Sequence, residues 1–117
     1  MEKTKLDTTL ELFASACVKH TAATEQGDSR AANKSYGQIV KAAGCLKKED
    51  QLAALQAFFP HENPGLRIWA ATYTLSVLEE EALKVLETIA QQSIPHHSFT
   101  AKTILKEWDK QNLAPEF

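Results

Sequence analysis

The stretch Asn63-Pro64-Gly65-Leu66-Arg67-Ile68-Trp69-Ala70-Ala71 decides how the chain is read. Asn63 offers a side-chain oxygen to the unpaired N–H groups of a first helical turn, and Pro64 at the first helical position gives up only a donor that has no partner there. The small residues Ala70 and Ala71 let a second helix lie close. A helix start followed at once by a close-packing face points to helices stacked in pairs.

Working outward, the same helical signals recur. Thr8-Thr9-Leu10-Glu11 has the Ser/Thr-x-x-Glu spacing of a capping box, so a first helix is expected to begin there. Its apolar face would be Leu10, Phe13, Ala14, Cys17 and Val18, and it should run to about Glu25 and stop at Gly27. Asp28 or Ser29 caps a second helix whose apolar side carries Ala32, Tyr36, Ile39, Val40 and Ala43. Gly37 inside it lowers helix propensity and reads as a close approach by a neighbour, while Gly44 is expected to loosen its end.

Lys48-Glu49-Asp50 then opens a shorter third helix that buries Leu52, Leu55 and one or both of Phe58 and Phe59 before Pro60. The fourth covers Asn63 to Leu75, and the fifth about Glu79 to Gln91, where Glu79-Glu80-Glu81 complements the positive end of the helix dipole. Ser93-Ile94-Pro95 restarts the chain into a sixth helix carrying Ala101, Ile104, Leu105 and Trp108. The tail from Gln111 to Phe117 is expected to be loosely held. No alternation of β-branched or aromatic residues between turn signals suggests a strand. The expectation is all-α, about six helices in three antiparallel pairs, forming a single domain over residues 1–117 with its core at about 6–110.

Composition narrows the function classes. With 117 residues, 44% hydrophobic and 24% charged, the chain is an ordinary globule able to bury one core. Thirteen basic and 15 acidic residues give a formal charge of −2, without the positive excess that drives contact with phosphate backbones, so nucleic acid is not favoured. Cys17 and Cys45 lie inside predicted helices, where a cysteine behaves as a small hydrophobe, and are expected to be reduced. Met1-Glu2-Lys3-Thr4-Lys5 leads into an amphipathic segment instead of an apolar export signal, and no run is long enough to span a bilayer, which makes a cytoplasmic setting the simplest expectation.

Few residues invite chemistry. The adjacent His96 and His97 diverge by about 100° on a helix and cannot share a metal there. His20 and His61 read as surface or capping groups near helix ends, and a Cys17–His20 nucleophile pair has no orienting third group. There is no glycine-rich phosphate loop and no nucleophile elbow. The chain is therefore expected not to be an enzyme and to need no cofactor or metal. Arg67, locked between Leu66 and Ile68, would reach a neighbouring helix end or a partner's carboxylate. Trp69 and Trp108 are expected at the core edge with their indole N–H groups on acceptors, an exposed Trp69 being a natural binding anchor. Asn33, Lys34 and Tyr36 share a turn with Gly37, where a partner's backbone would find room.

Pro64, Leu66, Arg67, Ala70 and Ala71, with Asn63 where an Asp is common, resemble the helix core of a HEAT-like repeat. The string Ala31-Ala32-Asn33-Lys34, the His61 to Ala71 stretch, Ala82 to Ala90 and Ala101 to Trp108 together resemble a family of small bacterial HEAT-like proteins of uncharacterised function. The resemblance implies a short right-handed solenoid in a bacterial, intracellular setting and brings no catalytic residues. It also implies an analogy with partners or immunity proteins of bacterial toxins.

The function expected is thus a non-enzymatic protein-binding module, with Asn33, Lys34, Tyr36, Lys41, Arg67 and Trp69 as candidate partner-binding residues. In the solenoid reading the second, fourth and sixth helices form a concave face that offers Lys34, Gln38, Lys41 and Thr72. The partner is an unidentified protein, a toxin in the immunity version, and the exposed ends of a short stack would also allow a homodimer. The rival is a nucleic-acid-binding stack with Lys34, Lys41, Lys102 and Lys106 along one basic groove.

Overall fold

Lys3–Glu25 forms one continuous helix, α1, in the computed structural model, which describes residues 2–110. The expected capping box does not form. Thr8 and Thr9 lie inside α1, and their hydroxyls donate to the carbonyls of Thr4 and Lys5 at 3.0 and 2.9 Å, so a spacing that fits a helix start is equally consistent with side chains bonded one turn back. The other end is as read. Gly27 takes a positive φ of 70°, with its N–H on the Thr24 carbonyl and the Asp28 N–H on the Ala23 carbonyl, a Schellman ending.

Asp28 then caps α2, Ser29–Lys48, accepting the Ala31 N–H at 3.1 Å. Gly44 does not loosen this helix, which runs on to a second Schellman ending: Asp50 N–H reaches the Lys47 carbonyl and Gln51 N–H the Leu46 carbonyl, with Asp50 at φ 57°. Gly37 marks no close neighbour either. It is exposed, and a Cβ built on it meets nothing within 4 Å.

The third segment is a 3-10 helix, Leu52–Phe58, beginning after α2 has ended at Lys48. It buries Leu52 and Leu55 and leaves Phe58 and Phe59 half-buried. Asn63 caps α3, Pro64–Thr74, accepting the Leu66 N–H at 3.1 Å, with Pro64 at the first position. Next come α4, Glu79–Gln91, and α5, His97–Asp109. The described residues thus hold five α-helices, one 3-10 helix and no strand; the tail expected to be loose, Gln111 to Phe117, lies outside them.

The helices fall into two compact units, one ending at Ala54 and one beginning at Leu55. In the first, α1 and α2 are joined by three residues and pack along each other as a helical hairpin. The buried face of α1 is Thr9, Phe13, Ala16, Cys17 and Thr21, while Leu10 and Ala14 are half-buried and Val18 is exposed. The stripe is rotated from the one read off apolar residues because threonine hydroxyls satisfied by i−4 carbonyls can be buried, as for Thr21 on the Cys17 carbonyl at 3.0 Å. In α2, Ser35, Ile39, Ala42, Ala43 and Leu46 are buried, while Ala32, Tyr36 and Val40 are half-buried.

In the second unit α3 packs against both α4 and α5, which also pack together. Their shared core joins Ile68, Ala71 and Leu75 to Ala82, Leu86, Ile89 and Ala90 and to Ala101, with Ile104, Leu105 and Trp108 against its rim. The Trp108 indole N–H donates to Glu79 at 3.1 Å, so the first residue of the acidic run also anchors α5 to the start of α4.

Candidate functional site

One side of the α1–α2 hairpin is an open trough. It follows from two heptad-like spacings: Lys34, Gln38, Lys41 and Cys45 recur on one face of α2, and Leu12, Ser15/Ala16, Lys19, Ala22/Ala23 and Gln26 on one face of α1. Residues three and four apart share a helix face, so each helix presents an unbroken strip to the valley between them. A cavity of about 360 Å³ lies between Leu12, Ala16 and Lys19 on α1 and Gln38, Lys41 and Cys45 on α2. A second of about 320 Å³ continues it between Ala22, Ala23 and Gln26 on α1 and Ala31, Lys34 and Ser35 on α2. Lys19 and Gln38 border both, which makes them one trough.

Small buried residues, Ala16, Ala23, Ser35 and Ala42, form its floor, and exposed long side chains form its rims. Leu12 stands at one end with 62% of its surface in water. Three lysines and no aspartate, glutamate, arginine or aromatic residue line it. Such a surface offers short-range apolar contact on the floor and a single sign of charge at the edges.

The structure brings together two of the six residues expected to bind a partner, Lys34 and Lys41, along with Gln38. Asn33 is exposed and Tyr36 half-buried on α2, and neither borders the trough. Arg67 and Trp69 belong to the second unit. There the Arg67 Nε–H donates to the Phe59 carbonyl at 2.9 Å, tying the residues before α3 to its first turn, while Trp69 is half-buried and stacks on Tyr73 with centroids 6.1 Å apart. Thr72 donates to the Ile68 carbonyl at 2.7 Å. Lys102 and Lys106, exposed on α5, do not line the trough. Sequence reasoning missed Leu12 and Lys19. The available signal was their seven-residue spacing, matched by that of Lys34 and Lys41.

His61 turns its Nδ1 to the Asn63 N–H at 3.0 Å and so braces the turn before α3. His20 sits inside α1, not at its end, and is half-buried; desolvation lowers its pKa from the ordinary 6.5. Cys17 is buried and burial pushes its thiol pKa up, so it is held as the thiol, the poor nucleophile. Cys45 is half-buried on the trough wall, and both cysteines are free. Among the described residues no three His, Cys, Asp or Glu side chains converge, and no helix is long and apolar enough to cross a membrane.

Comparison with known proteins adds a family. The fold is that of the protein RPA1889 from Rhodopseudomonas palustris CGA009, whose crystal structure superposes with a TM-score of 0.89 at 26% identity, over 95% of this chain and 93% of that one. No curated protein matches the sequence. The sequence matches DUF2019, described as a domain of unknown function, from residue 7 to residue 109, across both compact units. With the match covering nearly all of its helices, the chain belongs to the DUF2019 family.

Proposed function

We propose that the chain is a non-enzymatic protein-binding module that acts in the cytoplasm through the trough on its α1–α2 hairpin. The observation that carries this reading is a solvent-exposed leucine, Leu12, at the end of a valley floored by alanine and rimmed by lysine. A large apolar side chain held over small neighbours gains free energy when a partner covers it, and small floor residues allow a partner's backbone to come close. The nucleic-acid rival has less support: the trough offers three lysines without arginine or an aromatic platform, on a chain of net charge −2.

Two finer readings belong with this proposal. The Pro64, Leu66, Arg67, Ala70, Ala71 pattern in α3 supports a HEAT-like stack, and that likeness supports an immunity protein whose partner is a bacterial toxin. Affinity capture from a bacterial lysate, with native chain and Leu12→Arg as paired baits, tests the general reading. A protein retained by the native bait and lost from Leu12→Arg is the expected result. Capture of nothing well above micromolar bait, or equal capture by both, defeats it.

A further inference from the structure

The trough has a length, a charge and a packing precedent, and these specify an occupant. We infer that it receives an acidic, amphipathic α-helix from a protein partner, laid between α1 and α2 as a third helix. This rests on the protein-binding reading above and names its chemistry. From Ala31 to Cys45 the α2 wall extends about 20 Å at the helical rise, which fits an occupant helix of about 14 residues, or four turns.

Charge selects its sign. Lys19, Lys34 and Lys41 border the trough and no carboxylate faces them from it, so an incoming helix with glutamates on its flanks gains three ion pairs, while a basic helix meets three like charges. The floor selects its shape, because alanines and a serine hold helix axes at the close end of the usual 8–10 Å. The second unit shows the arrangement already made: α3 packs on both α4 and α5, whereas the unit ending at Ala54 contains only two α-helices. A bare strand of nucleic acid would use the lysines but leave Leu12 and the alanine floor without a matching surface.

Three labelled peptides of about 16 residues test the inference by fluorescence anisotropy. One carries leucine at helical three- and four-residue steps with glutamate on both flanks, the second replaces its glutamates by lysine, and the third keeps the glutamates but replaces leucine by serine. An oligothymidylate strand is the fourth probe. The first peptide is expected to bind best, Lys34→Glu/Lys41→Glu to weaken it by about tenfold or more, and the same variant to gain affinity for the lysine peptide. Both substitutions sit on exposed helix positions, and the circular dichroism of the variant is expected to match that of the native chain.

Equal binding of acidic and basic peptides, tighter binding of the oligonucleotide, or indifference of the acidic peptide to the charge reversal overturns the inference. If capture through Leu12 succeeds while every peptide fails, the protein-binding reading stands and this occupant falls.

Discussion

Ser98 stands inside a helix ending that would otherwise be incomplete. After α4, Ser93 takes a positive φ of 56°, as the residue after a helix cap commonly does, yet the Ile94 N–H does not reach the Ile89 carbonyl as it would in a Schellman ending. The Ser98 hydroxyl bridges them, accepting from Ile94 N–H and donating to the Ile89 carbonyl, both at 2.7 Å, with Ser98 only 7% exposed. Ser98→Ala leaves the part-buried Ile94 N–H without its acceptor, while the Ile89 carbonyl keeps the Gln92 N–H at 3.2 Å, and is expected to cost about 1–3 kcal/mol in urea denaturation. Thr100→Ala, which removes an exposed hydroxyl bonded to the His96 carbonyl, should cost less than about 0.5 kcal/mol. Similar losses from the two variants would show that the bridge contributes nothing special. This role was not legible, because a serine in the first turn of a helix reads as a polar surface residue; only the return of α5 against the end of α4 makes it a link.

The element that best separates local code from context is α2. Its start, Asp28, and its helical period are plain in the sequence, but its end is not: Gly44 attracts the stop signal, and the chain instead turns at Asp50, a residue that tolerates the left-handed region less well than glycine. Gly37, exposed with open space around it, carries only the entropic penalty of glycine in a helix. Moving each to its better residue, Gly37→Ala and Asp50→Gly, is expected to add about 0.5–1 kcal/mol apiece, seen as higher denaturation midpoints with unchanged slope. Neither residue borders the trough, so neither change should alter partner capture. A loss of stability in Gly37→Ala would mean that the glycine is needed there after all. The boundaries of α4, Glu79–Gln91, and the Asn63 cap of α3 were legible throughout, since caps and short apolar periods are properties of a few adjacent residues.

At the scale of the whole molecule, folding is linked to pH through His20. Partial burial disfavours its charged form, so its folded pKa lies below the ordinary 6.5 and the unfolded chain binds more protons in the interval between the two. Stability therefore rises with pH up to about 6.5 and is lost as pH falls from there toward the folded value. Native chain is expected to lose more of its melting temperature between neutral and mildly acidic pH than His20→Gln, and parallel curves for the two would refute the linkage. The DUF2019 match runs from residue 7 to residue 109 and so takes in helices of both compact units.

By itself the sequence determined that the chain is helical and where α2, α3 and α4 start, because three- and four-residue periodicity and capping act over one or two turns. Only the tertiary structure decided that Thr9, Thr21, Ser35 and Ser98 are buried, that Arg67 is bonded to the Phe59 carbonyl, and that Leu12 and Lys19 face Lys34 and Lys41 across a trough. The reason is physical: a hydroxyl can enter a core once a carbonyl receives it, and a groove exists only between two helices. The depth of such a valley depends on how closely both helix faces approach, and neither strip of residues carries that distance alone.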